Sequence, residues 1–296
     1  MTHVEKAHAK INLVLHILAR EASGYHGIET LFQRLMLHDV VRVQVNAGPS
    51  SLHCDGPAMP VAGLGEPTSN LAWRAASAYA RANPWLTSWQ IDIEKHIPVG
   101  GGLGGGSADA AAVLRALDIL APQPLGLARL LEIGGTLGAD VPFLVSGDSR
   151  AWAWGRGDRL LPLPALPPMA VTLVTFAAGV NTGAAYGAFA SARDAGHTSI
   201  AAARLQPHAL DTWETIAGIA ENDFERVVPA MHTGVAIALP DVRRLAATLR
   251  AQGQPAIGMM SGSGATCFLL RGADADRTLA TIAEAAEATL VPTMTF

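Results

Sequence analysis

Residues 98–109 read Pro-Val-Gly-Gly-Gly-Leu-Gly-Gly-Gly-Ser-Ala-Asp, with six glycines among the seven residues from Gly100 to Gly106. Glycine has no Cβ and reaches backbone conformations closed to other residues, so this run can turn several N–H groups toward one point. It is poorly suited to be a linker. Pro98 bounds it on one side, and a helical pattern over Ser107–Leu120 bounds it on the other, with Val113, Leu114 and Leu117 on one face. Ahead of it, Ile91 and Ile93 alternate with Gln90, Asp92 and Glu94, the period of a half-buried strand. A strand, a glycine loop and a helix start thus follow in order. The free N–H groups and dipole of a helix start attract anions. Ser107 can cap that helix or offer its hydroxyl to a phosphate or a magnesium ion.

Three common phosphate loops fit less well. Gly100, Gly102 and Gly105 satisfy G-x-G-x-x-G, but the preceding strand carries Asp92 and Glu94, whereas a buried parallel strand is nearly all apolar. A Walker loop needs Gly-Lys-Ser/Thr, and the chain contains no Gly-Lys pair. The His-Arg-Asp and Asp-Phe-Gly strings that accompany a protein-kinase glycine loop are absent.

Composition narrows the partners. Half of the 296 residues are apolar and 16% are charged, enough to bury a sizeable core. The net charge of −4 gives no basic footprint for nucleic acid. Apolar runs such as Met169–Val180 are too short to cross a bilayer. Ile11–Leu18 is interrupted by Asn12 and His16 and reads as a strand, not a signal peptide. Cys54 and Cys267 lie far apart and in no metal-ligand spacing, which points to two reduced thiols in a cytoplasmic protein. Of the 21 basic residues only Lys6, Lys10 and Lys95 are lysines, so each retained lysine is a candidate for a specific task.

Elsewhere, Thr2–Leu18 and Val40–Val45 read as strands, and Ser50–Pro67 as loop with one short strand. Ser69 or Asn70 caps a helix to about Ala82, and Leu127–Leu137 is a further helix. Val141–Val145 reads as a strand. Prolines 162, 164, 167 and 168 exclude a regular element over Leu161–Met169, which places a domain boundary there, between residues 1–160 and 161–296. Beyond it come a strand at Ala170–Thr175, helices around Thr182–Ala192, Asp211–Ile219 and Asp241–Gln252, two strands flanking Ser261–Gly264, and a helical tail over Asp274–Ala288. Strands separated by helices, several of them alternating, predict an α+β fold of mixed sheets covered on one face.

Pro98-x-x-x-Gly-Leu-Gly-x-x-Ser107-Ala108 resembles the second motif of the GHMP small-molecule kinases. Ala9-Lys10-Ile11-Asn12-Leu13 resembles the first motif, and Ser261-Gly-Ser-Gly264-Ala265 the third. Leu137-Gly-Ala-Asp140-Val-Pro142-Phe143 resembles an acidic motif. Gly24-Tyr25-His26, Leu31-Phe32-Gln33, Gly179-Val-Asn-Thr182 with Tyr186, and Asn222-Asp223 add to these, as does the fuller string GGGLGGGSADAA. Together they resemble the branch of the family that acts on 4-diphosphocytidyl-2-C-methyl-D-erythritol in the non-mevalonate route to isoprenoids. Residues 50–66 and 190–212 carry none of the resemblance.

The resemblance implies a two-domain fold with the active site in the cleft between the domains, and ATP as cofactor with Mg²⁺ carried on it. It implies no dedicated metal ligand and no obligate protein partner. Lys10 and Asp140 become the catalytic pair, Asp140 taking the proton of the substrate hydroxyl and Lys10 keeping it ionised. ATP falls to Asn70, Leu71, Lys95, His96, Pro98, Gly100, Gly101, Gly102, Leu103, Gly104, Gly105, Gly106 and Ser107. The cytidine-linked substrate falls to Asn12, Tyr25, His26, Phe32, Asp140, Thr182 and Tyr186, with Tyr25 and Tyr186 sandwiching the pyrimidine. Residue chemistry leaves simpler alternatives beside these: Lys95 as a solvated strand residue, Asn70 as a helix cap, Phe32 as core. At the level of function the alternatives are a homoserine or mevalonate type of GHMP kinase, a non-catalytic ATP-binding relative, and a dinucleotide-dependent oxidoreductase.

Overall fold

In a computed structural model, residues 1–20, 26–46, 48–196, 206–272 and 276–296 are described. The chain divides into two compact units that are not sequence halves. The first holds Met1–Lys10, Arg34–Val99 and Gly104–Leu163, and the second Ile11–Gln33, Gly100–Leu103 and Pro164–Phe296. The later switch falls inside the proline-rich stretch. The first two arise because the first two strands, β1 (Thr2–Arg20) and β2 (His26–Val45), are long enough to contribute to both units, and the next two bound the glycine-loop segment Gly100–Leu103.

In the first unit, β1 and β2 are followed by β3 (Ser51–Asp55), α1 (Leu71–Ala82), β4 (Trp89–Glu94), α2 (Gly105–Leu120), α3 (Leu127–Leu137), α4 (Val141–Ser146), β5 (Arg150–Gly155) and β6 (Arg159–Pro162). The sheet is mixed: β4 runs antiparallel to β2 and parallel to β3. Ile91 and Ile93 lie opposite Val43 and Val41, and all four are buried while Asp92 and Glu94 face out, as the alternation predicts. Alanines such as Ala72, Ala75 and Ala76 on α1 and Ala108, Ala111 and Ala112 on α2 are buried, and their small side chains let the two helices pack closely.

The second unit contains β7 (Ala170–Thr175), α5 (Thr182–Asp194), α6 (Trp213–Ala217), β8 (Glu221–Asn222), α7 (Thr233–Ala251), β9 (Ala256–Met260), β10 (Cys267–Arg271), α8 (Asp276–Ala285) and β11 (Thr289–Met294). Its sheet has the antiparallel order β11-β7-β10-β9, with Cys267 opposite both Val174 and Met260. Val235, Leu239, Val242 and Ala246 of α7 and Leu279 and Ile282 of α8 close a core with Val174, Cys267 and Leu269 of that sheet. β8 pairs in parallel with β1 at Val14 and Leu15.

The α+β class holds, and several local expectations need correction. Val141–Val145 is a helix. Five apolar residues carry no usable period, and Pro142 in the first turn presets a helical φ. Helix α7 begins two turns before Asp241 and passes through Pro240; its buried face outweighs the cost of about 3 kcal/mol for an interior proline. The tail helix is followed by β11, which lies at the sheet edge, where Pro292 is tolerated. β6 runs to Pro162 at its last position, after which no regular element forms until β7. Strands β5 and β6 and the first part of β2 were not expected. Among the described residues no helix is long and apolar enough to cross a membrane.

Candidate active site

In the first unit the glycine loop joins its helix where the first and acidic motifs meet. Gly104 has φ of +72° and precedes α2, whose first backbone bond runs from Ala108 N–H to the Gly104 carbonyl at 2.8 Å. Helix geometry therefore leaves the N–H groups of Gly105, Gly106 and Ser107 without partners inside the helix. A Cβ on Gly104 would lie 3.1 Å from Cγ and Cε of Lys10 and 3.5 Å from Oδ2 of Asp140, so bare backbone packs on that pair. Lys10 sits in β1 with its side chain 3% exposed, and its Nζ lies 3.3 Å from Asp140 Oδ2. Asp140 occupies the capping position of α4, yet its side chain makes no capping bond. Its carboxylate instead faces Lys10 and stays partly exposed. A Cβ on Gly138, two residues before Asp140, would lie 4.0 Å from Ser107 Oγ. Backbone donors, an ammonium, a carboxylate and a hydroxyl thus adjoin one helix start.

Asn70 and Leu71 lie beside the same helix start. Asn70 Oδ1 accepts from Ala72 N–H at 2.9 Å and caps α1, and Leu71 Cδ1 lies 3.8 Å from where Gly106 would carry a Cβ. His96 is half-buried and its Nε2 lies 3.0 Å from Glu94 Oε1. Lys95 is not a solvated strand residue. It is 2% exposed, and its ammonium binds Asp39 and, at 2.6 Å, Asp109 Oδ2. That ammonium is committed to protein carboxylates.

In the second unit, Gly100–Leu103 packs on the third motif. Ser261 Oγ donates to the Gly102 carbonyl at 3.0 Å, and Thr266 N–H to the Gly101 carbonyl at 3.2 Å. A Cβ on Gly102 would come 2.2 Å from the Ser261 carbonyl oxygen, which no side chain could accept. Gly179 approaches the Gly100 carbonyl in the same way, at 2.6 Å from its own Cβ position. Thr182 opens α5 behind the capping Asn181, and its Oγ1 lies 2.9 Å from Ser263 Oγ. Asn222 donates at 2.8 Å to the carbonyls of Met260 and Gly262, and Asp223 Oδ2 accepts from Ile17 N–H at 2.8 Å. The second and third motifs, the Thr182 segment and the Asn-Asp pair form one hydrogen-bonded assembly.

The substrate residues divide. Thr182 and Tyr186 are four apart on α5 and so share a face. Tyr186 is half-buried with its ring edge-on to Phe224, centroids 4.9 Å apart. Asn12 is buried and its Nδ2 donates to Thr30 Oγ1 at 2.8 Å. Phe32 is 0% exposed, so of its two readings the core is the one the structure supports. Tyr25 and the side chain of His26 lie outside the described residues.

Among the described residues no group of three or more His, Cys, Asp or Glu is arranged to hold a metal ion. The oxygens of Ser107 and Asp140 suit Mg²⁺ as supplements to phosphate oxygens and water, since this ion keeps several waters and takes few protein ligands. Sequence reasoning passed over Asp39, Asp109, Thr30 and Glu225. Glu225 is buried, binds Arg243, and accepts from Met260 N–H at 2.6 Å just before the third motif. Burial pushes its carboxyl up to about 7.

The family model for the N-terminal domain of GHMP kinases matches residues 70–148, a span that includes the glycine loop and Asp140. A 4-diphosphocytidyl-2-C-methyl-D-erythritol kinase of Desulfitobacterium hafniense is 35% identical over 266 residues, covering 88% of this chain and 84% of that protein. The enzyme of the same name from Paracoccus denitrificans is 38% identical, covering 89% and 85%. A crystal structure of a 4-(cytidine 5'-diphospho)-2C-methyl-D-erythritol kinase superposes with a TM-score of 0.69 at 34% identity, covering 99% of this chain and 100% of that one. Relatives of one name thus match along nearly the whole length, and the chain belongs to the GHMP kinase family, within its group of 4-diphosphocytidyl-2-C-methyl-D-erythritol kinases.

Proposed function

We propose that the chain transfers the γ-phosphoryl group of ATP to the 2-hydroxyl of 4-diphosphocytidyl-2-C-methyl-D-erythritol, a step in making isoprenoid precursors. The observation that carries this reading is the Lys10–Asp140 pair, 3.3 Å apart, packed under Gly104 at the start of α2. Phosphoryl transfer asks a protein for positioning and charge stabilisation more than for covalent chemistry. The glycine backbone and the first N–H groups of α2 hold the phosphates of ATP, which brings its own Mg²⁺. Asp140 takes the proton of the hydroxyl as that oxygen bonds to the γ-phosphorus. The bond from the γ-phosphorus to the bridging oxygen breaks, and ADP departs with that oxygen. Lys10 holds the Asp140 carboxylate in place and steadies the charge on the moving oxygens. The acceptor is a tertiary alcohol, crowded and weakly nucleophilic, so orientation is worth more here than for a primary alcohol. Tyr25, His26 and Tyr186 hold the cytosine, and Asn12 and Thr182 adjoin the diphosphate and the polyol. Two free thiols, Cys54 and Cys267, suit work in the cytoplasm.

The test is ADP release with four alcohols in parallel: the cytidyl substrate, mevalonate, homoserine and galactose. Turnover is expected with the first alone. Faster turnover with any of the others would assign the chain to a different acceptor.

A further inference from the structure

Six glycines give a loop that can wrap a phosphate chain, but they also leave it many conformations to lose on binding. Something must hold its ends. Strand β4 finishes at Glu94 and helix α2 begins at Gly105, so the loop is suspended between Lys95–Ile97 and Gly105–Asp109. The strand end is tied to a buried carboxylate on β2, and through Lys95 to the helix end. Asp39 is 0% exposed; its Oδ1 accepts from the N–H groups of His96 at 2.5 Å and Ile97 at 2.8 Å, and its Oδ2 binds the Lys95 ammonium. Lys95 then reaches across to Asp109 Oδ2 at 2.6 Å, in the second turn of α2. The two ends also touch: a Cβ on Gly105 would lie 3.2 Å from Ile97 Cγ2 and 3.6 Å from Lys95 Nζ.

We infer that Asp39, Lys95 and Asp109 are positioning residues for nucleotide binding, a buried clamp that fixes the distance between the strand end and the helix start and so presets the loop for ATP. The inference rests on the reading of this loop as the phosphate site. Its content is separate: the side chain of Lys95, a residue the family resemblance assigns to ATP, acts by joining Asp39, which holds the main chain at the strand end, to Asp109 on the helix. The arrangement is costly enough to need a purpose. Two carboxylates share one ammonium out of water, and Asp109 Oδ1 is buried with no hydrogen-bond partner. Replacing such a buried triad by apolar side chains of similar volume is often neutral or stabilising. Burial raises the Asp109 carboxyl to about 7 against the attraction of Lys95, with repulsion from Asp39 adding to the rise.

The test compares Asp109→Ala with Asp109→Asn, whose amide oxygen can still accept from Lys95. Two measurements are needed: hydrogen exchange of the 98–107 amides without nucleotide, and steady-state kinetics. A preset loop predicts that Asp109→Ala exchanges faster in 98–107 than the wild type. It also predicts a rise in the ATP KM of roughly 10–100-fold, with the alcohol KM nearly unchanged. Asp109→Asn should recover most of both. If Asp109→Ala only lowers the melting temperature, with loop exchange and ATP KM at wild-type values, the clamp is purely structural and the inference is wrong. Equal rises in both Michaelis constants would also overturn it. A wild-type protein that fails to turn over ATP, yet shows the exchange difference, would instead remove the phosphate-site reading and leave the clamp in place.

Discussion

Lys10 and Asp140 are 130 positions apart in sequence, and both were legible there because each stands in a motif of its own. Their pairing came from the resemblance and not from their spacing; what the sequence did not show is that Gly104 packs against both, which is why that glycine must be bare. If Asp140 acts on the hydroxyl proton, its contribution belongs to the transition state and not to ground-state binding. Asp140→Asn should therefore lower kcat by roughly 10²–10⁴-fold, the usual range for a general base, with little change in either KM. Lys10→Met should do likewise. The double variant should be scarcely slower than either single one, because the pair works as a unit. Strictly multiplied losses in steady-state kinetics would show two independent roles. Asp39, Asp109 and Thr30 could not be found in this way. Their roles come from partners far along the chain, and a lone Asp or Thr in a strand or helix carries no signal of burial.

At the scale of elements, periodicity served where one face is buried and the other wet. β4 alternates as expected, and α3 has the expected bounds. It failed where an element is buried all round, as in α4, or where tertiary packing overrides a local breaker, as at Pro240 and Pro292. The start of α2 permits a sharp separation of folding from binding. Gly106 lies in a helix, has no positive φ, and would meet only Leu71 Cδ1 at 3.8 Å through a Cβ, an ordinary contact. Gly106→Val should leave melting temperature unchanged or slightly raised, since valine is the better helix former by a few tenths of a kcal/mol, roughly. A helical Cβ tilts toward the N-terminus, which here is the side proposed for the phosphates. ATP affinity should fall by about tenfold or more, which is about 1.4 kcal/mol. Calorimetry finding unchanged ATP affinity in the folded variant would show that the helix start does not receive the phosphates.

Over the whole molecule, the motifs named the family while the chain path stayed hidden. The proline-rich stretch marks the last switch between compact units, yet residues 11–33 and 100–103 belong with the C-terminal part. No composition break announces this: residues 11–33 follow from two strands of 19 and 20 residues that each contribute to both units, and residues 100–103 from hydrogen bonds to the Ser261–Thr266 turn. Phosphoryl transfer to a tertiary alcohol is tested by proton-coupled ³¹P NMR of the product. The 2-carbon of the proposed acceptor bears a methyl group and no hydrogen, so a phosphate ester formed there has no three-bond coupling to a proton. With ATP, Mg²⁺ and the cytidyl substrate, one new phosphomonoester resonance is expected, a singlet, growing in step with ADP. A doublet or triplet would place the phosphate on a secondary or primary hydroxyl, and ADP formed without any new phosphomonoester would mean that water is the acceptor; either result contradicts the claim.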